Sequence, residues 1–369
     1  MAGVSTSYNS AVALRFLAIV FGSTAILTLL YRLNFEQIVT MTETAHIGVT
    51  SEQNKELINQ TQKPAQIQTK TSKEDGGPAK SDDNSMYSCS PMSTCAKLKK
   101  FFKENWNSTK PKAAVYILSR ASDANDLKKS LKNLETNFLS KFSYPVIIFY
   151  EKDFVPHIPA MKSLTKLKIF FQEVQFEVPN YIFPTADKVF QCKGVHNLGY
   201  RHMCRFNSKI VYELPLMRQL EYYLRLDAHS YITKPVPYDL FKNMKDKGLL
   251  YLYPCIDNDT PVCVSFLWDA VKTFIAVKRL KPHFFSELTG TKMFYNNFEM
   301  ARMDVFTATS YQNYINFIDQ LGGIYHNRWG DAPIKSLGLS IFVPRNKTKR
   351  ISDVEYYHRE KRLSHKENC

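Results

Sequence analysis

The chain has 369 residues, 44% of them hydrophobic, which is enough to bury a core in one large catalytic domain or two small ones once the tails are set aside. Its formal charge of +15 suggests nucleic acid or an anionic membrane, but the distribution argues otherwise. Lys and Arg are spread over the N-terminal third, "KLKKFFK" (Lys97–Lys103) and the tail from Lys347, with no basic-aromatic box and no Cys/His finger; a solvated surface is the first reading, an enzyme of phosphorylated donors the second, and nucleic acid is not expected.

In chain order, residues 1–10 read as a short cytoplasmic tail and 11–32 as a transmembrane signal anchor. Phe16–Tyr31 carries no charge between Arg15 and Arg32. Extended back to Ala11 it makes about 31 Å of helix, the thickness of a bilayer core, with Arg15 snorkelling. A cleaved signal peptide ending at Ser23-Thr24-Ala25 competes, but the apolar run continues past Ala25 to Tyr31, as in an uncleaved anchor. Basic residues at its two ends nearly balance, so orientation rests on four acceptor tripeptides for N-glycosylation, at Asn59, Asn107, Asn258 and Asn346. All follow the anchor and suit a lumenal C-terminal part, although Pro261 weakens the third. Seven cysteines allow up to three disulfides in an oxidising compartment. Pairing is open; Cys89/Cys95 and Cys255/Cys263 are spaced for local loops, and no CxxC pair points to zinc.

Residues 33–110 read as a flexible stem, rich in Thr, Gln, Lys, Ser and Glu, and 111–369 as the catalytic domain. Ala113–Leu118 has the pattern of a buried strand. Leu127, Leu131, Leu134 and Phe138 lie on one face of a helix over Asp123–Phe142, capped near Ser122. Pro145–Tyr150 is the next strand, completing a βαβ unit and implying a mainly parallel sheet. Further strands are expected over Lys168–Phe176, Tyr222–Leu226 and Leu249–Tyr253, helices over Pro237–Lys245, Val262–Val277 and Ser310–Leu321, and an extended segment over Phe294–Met300. The class is α/β, with one mixed, mainly parallel sheet flanked by helices.

In open α/β sheets, ligands sit beyond the carboxyl ends of the strands, and "YYLRLDAHSYI" (Tyr222–Ile232) puts its polar residues there. If the segment stays extended, Tyr223, Arg225, Asp227 and His229 share a face, with Asp227 and His229 about 7 Å apart. A carboxylate with an imidazole suits Mn²⁺; a polar strand end is the plainer explanation of the pair.

Five segments occur in one order: "NLGYRHMCRFNS" (Asn197–Ser208), "YYLRLDAHSYI", "FYNNFEMARM" (Phe294–Met303), "LGGIYHNRWGDAPIKSLGLSIFV" (Leu321–Val343) and "VEYYH" (Val354–His358). From Lys112 to His358 the chain resembles the fungal Golgi alpha-1,2-mannosyltransferases, glycosyltransferase family 15. The resemblance implies a GT-A fold, a single-pass type II Golgi membrane protein, and Mn²⁺-dependent, retaining transfer of mannose from GDP-mannose to a mannosylated glycoprotein or glycolipid. It implies Glu299 as the candidate nucleophile, Tyr200 as an active-site tyrosine, and Asp227 and His358 as metal ligands. The family's Glu-Pro-Asp is here Asp227-Ala228-His229, a shorter acid followed by an imidazole in place of the second acid. His229 is therefore a third candidate ligand, and the metal's identity rests on it. Arg120 and Arg225 are candidate donor-binding residues, and Asp331 a candidate acceptor-binding residue. Each has a plainer reading: Glu299 as the buried partner of Arg302 or Arg225, Tyr200 as a core aromatic, His358 as an exposed end residue, Asp331 as the cap of a helix beginning at Ala332-Pro333, Arg120 as a solvated side chain.

Overall fold

The first described element is a helix that the polar composition of the predicted stem does not announce. Helix α1, Thr94–Asn105, is capped by Ser93, whose hydroxyl accepts from the Ala96 amide at 3.2 Å, and buries Cys95, Leu98 and Phe102. Thr94 also donates to the Phe171 carbonyl at 2.9 Å, so the folded part begins before Pro111. The computed structural model describes residues 89–90, 92–106, 109–182, 192, 198–358, 361–362 and 369. The tail, the anchor, the stem up to residue 88, Asn59 and Asn107 lie outside them; no helix among the described residues is long and apolar enough to cross a membrane.

Strand β1 (Ala113–Ser119) is buried at every residue but Leu118, as a strand covered on both faces requires. Helix α2 (Ala124–Leu134) continues as a π-turn over Glu135–Leu139, and all four predicted apolar positions are buried. Its N-cap is Asp123 rather than Ser122, and no side chain caps it. Strands β2 (Val146–Tyr150) and β3 (Ile169–Glu173) follow, then helix α3 (Leu198–Arg205), strand β4 (Tyr222–Leu226), the short β5 (Ser230–Ile232) and helix α4 (Leu240–Asp246). Beyond these come β6 (Tyr251–Tyr253), β7 (Ile256–Asn258), α5 (Leu267–Val277), β8 (Lys292–Phe294), β9 (Phe298–Arg302), α6 (Thr309–Gln320), α7 (Asp331–Phe342), β10 (Thr348–Arg350), β11 (Tyr356–His358) and β12 (Lys361–Arg362).

The central sheet has the order β10-β6-β9-β4-β1-β2-β3. Only β9 runs against its neighbours, β4 and β6. The expected mixed, mainly parallel sheet is therefore present. From β1 the chain steps outward to β2 and β3, then returns to place β4 on the other side of β1. The strand order thus reverses between β1 and β4, which is where such sheets open a ligand crevice.

The two faces of the sheet differ in chemistry. One carries Val115, Ile117, Leu224, Leu226, Phe298 and Met300 against Leu127 and Leu131 of α2 and Leu240 and Phe241 of α4, each large side chain contributing about 1.5–3 kcal/mol. The other carries Tyr116, Tyr223, Arg225, Tyr251 and Glu299, all buried, and lies under α7. That helix is buried at ten of its twelve residues. Upstream, a Cβ on Gly323 would stand 2.2 Å from the Trp329 ring; only glycine lets that indole lie against the backbone and set the course of the "NRWG" loop into α7.

Three disulfides form, Cys89–Cys95, Cys192–Cys263 and Cys255–Cys369, with Cys204 a buried free thiol. The local Cys89/Cys95 loop is made. The possible Cys255/Cys263 loop is not: Cys255 pairs with Cys369 and Cys263 with Cys192.

Candidate active site

The antiparallel register of β4 and β9 sets Arg225 directly opposite Glu299. Helix α7 lies over this pair and presents Asp331 and Lys335, four residues apart and so on one face. Arg225 binds Asp331, and Lys335 binds Glu299. Two opposite-sign pairs thus form a buried square between helix and sheet. Asn296 donates to Asp331 at 2.7 Å, while the hydroxyls of Tyr251 and Tyr223 donate to Glu299 at 2.7 and 3.1 Å. Nearly every polar atom of the square has a partner, as burial of charge demands.

Electrostatics follow from that geometry. Burial pushes the Asp331 carboxyl up, but the adjacent Arg225 and Lys335 outweigh it and hold the group below the usual carboxylate range. Burial also lowers the Lys335 ammonium, against the pull of Glu299. The Arg225 guanidinium, desolvated but flanked by Asp331 and Asp227, stays charged.

Two plainer readings of these residues are corrected. Glu299 is a buried ion-pair partner, but of Lys335 rather than Arg302 or Arg225; Arg302 turns outward to Asp304. Asp331 is no cap: α7 begins at Asp331 itself, Gly330 is the N-cap without a side-chain bond, and the carboxylate turns inward to Arg225.

Asp227 sits at the carboxyl end of β4 with its side chain 33% exposed, its carboxylate accepting from Arg225 at 3.2 Å. Its amide donates to the Asn297 carbonyl at 3.2 Å, extending the β4/β9 ladder by one pair. Asn297 is 6% exposed, gives its amide group to Tyr295 at 2.8 Å, and has a carboxamide oxygen with no hydrogen-bond partner.

The expected shared face of Asp227 and His229 is not formed. Strand β4 ends at Leu226, and the chain turns through Asp227–Ser230, closed by the Ser230 amide on the Asp227 carbonyl at 3.1 Å. His229 is thereby directed to the start of α2, 3.5 Å from Asp126 and 3.8 Å from Asp123. His358 of β11 lies opposite Ser230 of β5, with which β11 and β12 form a separate three-stranded sheet, its Nδ1 at 3.5 Å from that hydroxyl. Among the described residues no three His, Cys, Asp or Glu side chains gather into a ligand set, so Asp227, His229 and His358 do not form one. Asp227 and His358 remain on opposite ends of one turn and one cross-strand pair, and Asn297, whose backbone carbonyl takes the Asp227 amide, carries the unpartnered carboxamide oxygen. That donor set of carboxylate, carboxamide oxygen and imidazole fits a hard or borderline divalent cation.

Arg120 lies beyond the end of β1, largely exposed, at 3.0 Å from Asp123. Its solvated reading matches this position, and Asp123 links it to His229, which also faces Asp126. Tyr200, on α3, is half-buried and accepts from Arg328 at 3.2 Å; Arg328, at φ 69°, also binds Asp259. Cys204 and burial together hold the Tyr200 phenol well above its ordinary value. The residues missed by sequence reasoning are Lys335, Asn296, Asn297, Arg328 and Asp259. Lys335 carries a readable signal, a lone cation in the otherwise apolar helix "APIKSLGLSIF".

A mainly parallel sheet with its polar side chains at the strand-end switch point is the architecture of an α/β ligand-binding fold. It is similar to the crystal structure of core-mannan synthase A from Aspergillus fumigatus in its Mn/GDP form, with a TM-score of 0.61, 28% identity, and coverage of 78% of this chain and 81% of that one. The chain belongs to the glycolipid 2-alpha-mannosyltransferase family, whose profile matches residues 55–368. Alpha-1,2 mannosyltransferase KTR1 of Saccharomyces cerevisiae is 28% identical over 271 residues, covering 67% of this chain and 68% of the relative. O-glycoside alpha-1,2-mannosyltransferase omh1 of Schizosaccharomyces pombe is 30% identical over 270 residues, with the same coverage of 67% and 68%. The protein is a glycosyltransferase of the mannosyltransferase class.

Proposed function

We propose that the protein transfers mannose from GDP-mannose in alpha-1,2 linkage, with retention, to a mannosylated glycoprotein or glycolipid, as a type II protein anchored in the Golgi membrane by residues 11–32. The observation that carries the donor assignment is the position of Asp227 and Arg120 at the ends of β4 and β1, flanking the point where strand order reverses. The similarity to core-mannan synthase A, whose structure is a Mn/GDP form, supports a GDP-sugar donor and a divalent metal.

Asp227 and His358, with the carboxamide oxygen of Asn297, hold the divalent cation in this reading; the cation, when bound, offsets the negative charge developing on the departing diphosphate. His229 is assigned to the wall of the crevice with Asp123 and Asp126. Arg225 keeps Asp227 oriented, and Asp331 acts on the site by holding Arg225 rather than by touching the acceptor. Glu299 is fully buried, and a covalent sugar adduct needs direct contact with the anomeric carbon. Its burial favours the front-face route to retention, with Glu299 a fixed negative charge beneath an oxocarbenium-like sugar. Tyr200, its hydroxyl protonated, offers a hydrogen bond at the crevice wall.

The test is a donor screen with an α-mannoside acceptor and Mn²⁺. Transfer from GDP-mannose with GDP released supports the reading; release of GMP identifies mannosylphosphate transfer, and no transfer from GDP-mannose overturns it.

A further inference from the structure

Of the acceptor tripeptides, the one at Asn346 lies in a structural setting that its sequence does not reveal. Asn346 is exposed in the helical turn Arg345–Lys347, and its side chain makes no hydrogen bond. Two residues on, Thr348 opens β10, in register with Tyr251 of β6 and 3% exposed. Its backbone carbonyl accepts from Arg345 at 2.9 Å, but its hydroxyl is buried with no hydrogen-bond partner. A buried hydroxyl in that state destabilises the fold, and valine has nearly the same shape with no hydroxyl to desolvate. Folding therefore gives no reason for threonine here. Recognition of Asn-Lys-Thr in the unfolded chain does, because the acceptor tripeptide requires the hydroxyl.

We infer that Asn346 is N-glycosylated before folding and that the hydroxyl of Thr348 is kept for that step. The co-reactant is an oligosaccharide linked to a lipid diphosphate. The bond between its anomeric carbon and the phosphate oxygen breaks, a bond from that carbon to the Asn346 amide nitrogen forms, the nitrogen loses one proton, and the lipid diphosphate leaves. This inference rests on the lumenal placement of the domain, which the three disulfides support independently.

The site also suits the folded enzyme. β10 is an edge strand of the central sheet, and an unpaired edge invites pairing with other chains unless something covers it. β10 runs parallel to β6, and β6 and β4 share the antiparallel partner β9, so Asn346 lies at the end of the sheet opposite the crevice. A glycan there shields the edge and leaves the crevice open. The tripeptide at Asn258 differs: its Asp259 is committed to Arg328, and Pro261 follows Thr260.

The experiment expresses the full chain in a eukaryotic secretory host, removes N-glycans with an amidase that converts glycosylated Asn to Asp, and maps the conversion by mass spectrometry. Conversion at Asn346, absent in Thr348→Val and kept in Thr348→Ser, is the expected result. Deglycosylated Thr348→Val is expected to melt about 2–4 °C above deglycosylated wild type. Conversion at Asn59 or Asn107 with Asn346 unmodified overturns the inference and leaves the lumenal placement standing. No conversion at any position overturns both, and a lower Tm for Thr348→Val shows that the hydroxyl serves folding.

Discussion

Lys335 and Glu299 illustrate how much of this site's energy is electrostatic and how little is visible to solvent. Both are fully buried, and removing one partner of such a pair leaves the other charge uncompensated. Lys335→Met is expected to lose about 3–5 kcal/mol in urea unfolding, with much of that recovered in Lys335→Met/Glu299→Gln; equal losses in the single and double variants would show that the two residues are not coupled. Asp331 gives a pH dependence with a defined sign. Its carboxyl is held below the usual range in the folded chain, so its contribution is fully present above the unfolded value of about 4 and is lost as pH falls through the folded value. Between about pH 5 and pH 3 the urea midpoint of wild type should fall more steeply than that of Asp331→Asn; parallel curves would contradict the assignment. Asn297→Ala removes the unpartnered oxygen assigned to the cation, and calorimetry should show Mn²⁺-dependent GDP binding weakened by roughly tenfold or more; unchanged binding would contradict that assignment.

At the level of elements, strands and helices were legible where periodicity and buried apolar runs agreed. β1, β4, α2 and α6 match their expected spans within a residue or two, α2 running on through the π-turn to Leu139 and a last helical turn over Ser140–Phe142. α1 was not, because its surface is mostly lysine and its buried face is only Cys95, Leu98 and Phe102. The turn after Leu226 was also illegible: alternation predicts an extended strand through His229, whereas the backbone bond from Ser230 to Asp227 rotates the imidazole to α2. Glu299, Arg225 and Asp331 were recognised individually but their pairings were not, since pairing Glu299 with Lys335 needs the packing of α7 on β9. The Cys255–Cys369 disulfide ties the C-terminal residue to the end of β6 across 114 residues. A loop of that length gives about 2–5 kcal/mol of stabilisation, so Cys369→Ser should lower the unfolding free energy by that amount; an unchanged urea midpoint would show that the tie is dispensable.

Across the whole molecule, the order of five motifs pointed to the family before any contact was known, and the sheet confirms why the order matters. Tyr200, Asp227, Glu299, Asp331 and His358 are spread over α3, the end of β4, β9, α7 and β11, and the return of the chain to β1 sets β4 beside β9, with α7 holding its two charge pairs to them. The fold was therefore more legible than the site, whose two charge pairs depend on a helix lying across antiparallel strands. The central claim is that this crevice transfers mannose from GDP-mannose with a divalent cation held at Asp227. Its most direct measurement is GDP release and mannosyl transfer to an α-mannoside by the purified chain, wild type and Asp227→Asn, with and without Mn²⁺. Transfer by wild type, abolished by chelation and lost in Asp227→Asn, is the expected result; full, metal-independent transfer by both proteins, or none from GDP-mannose by either, would overturn the assignment.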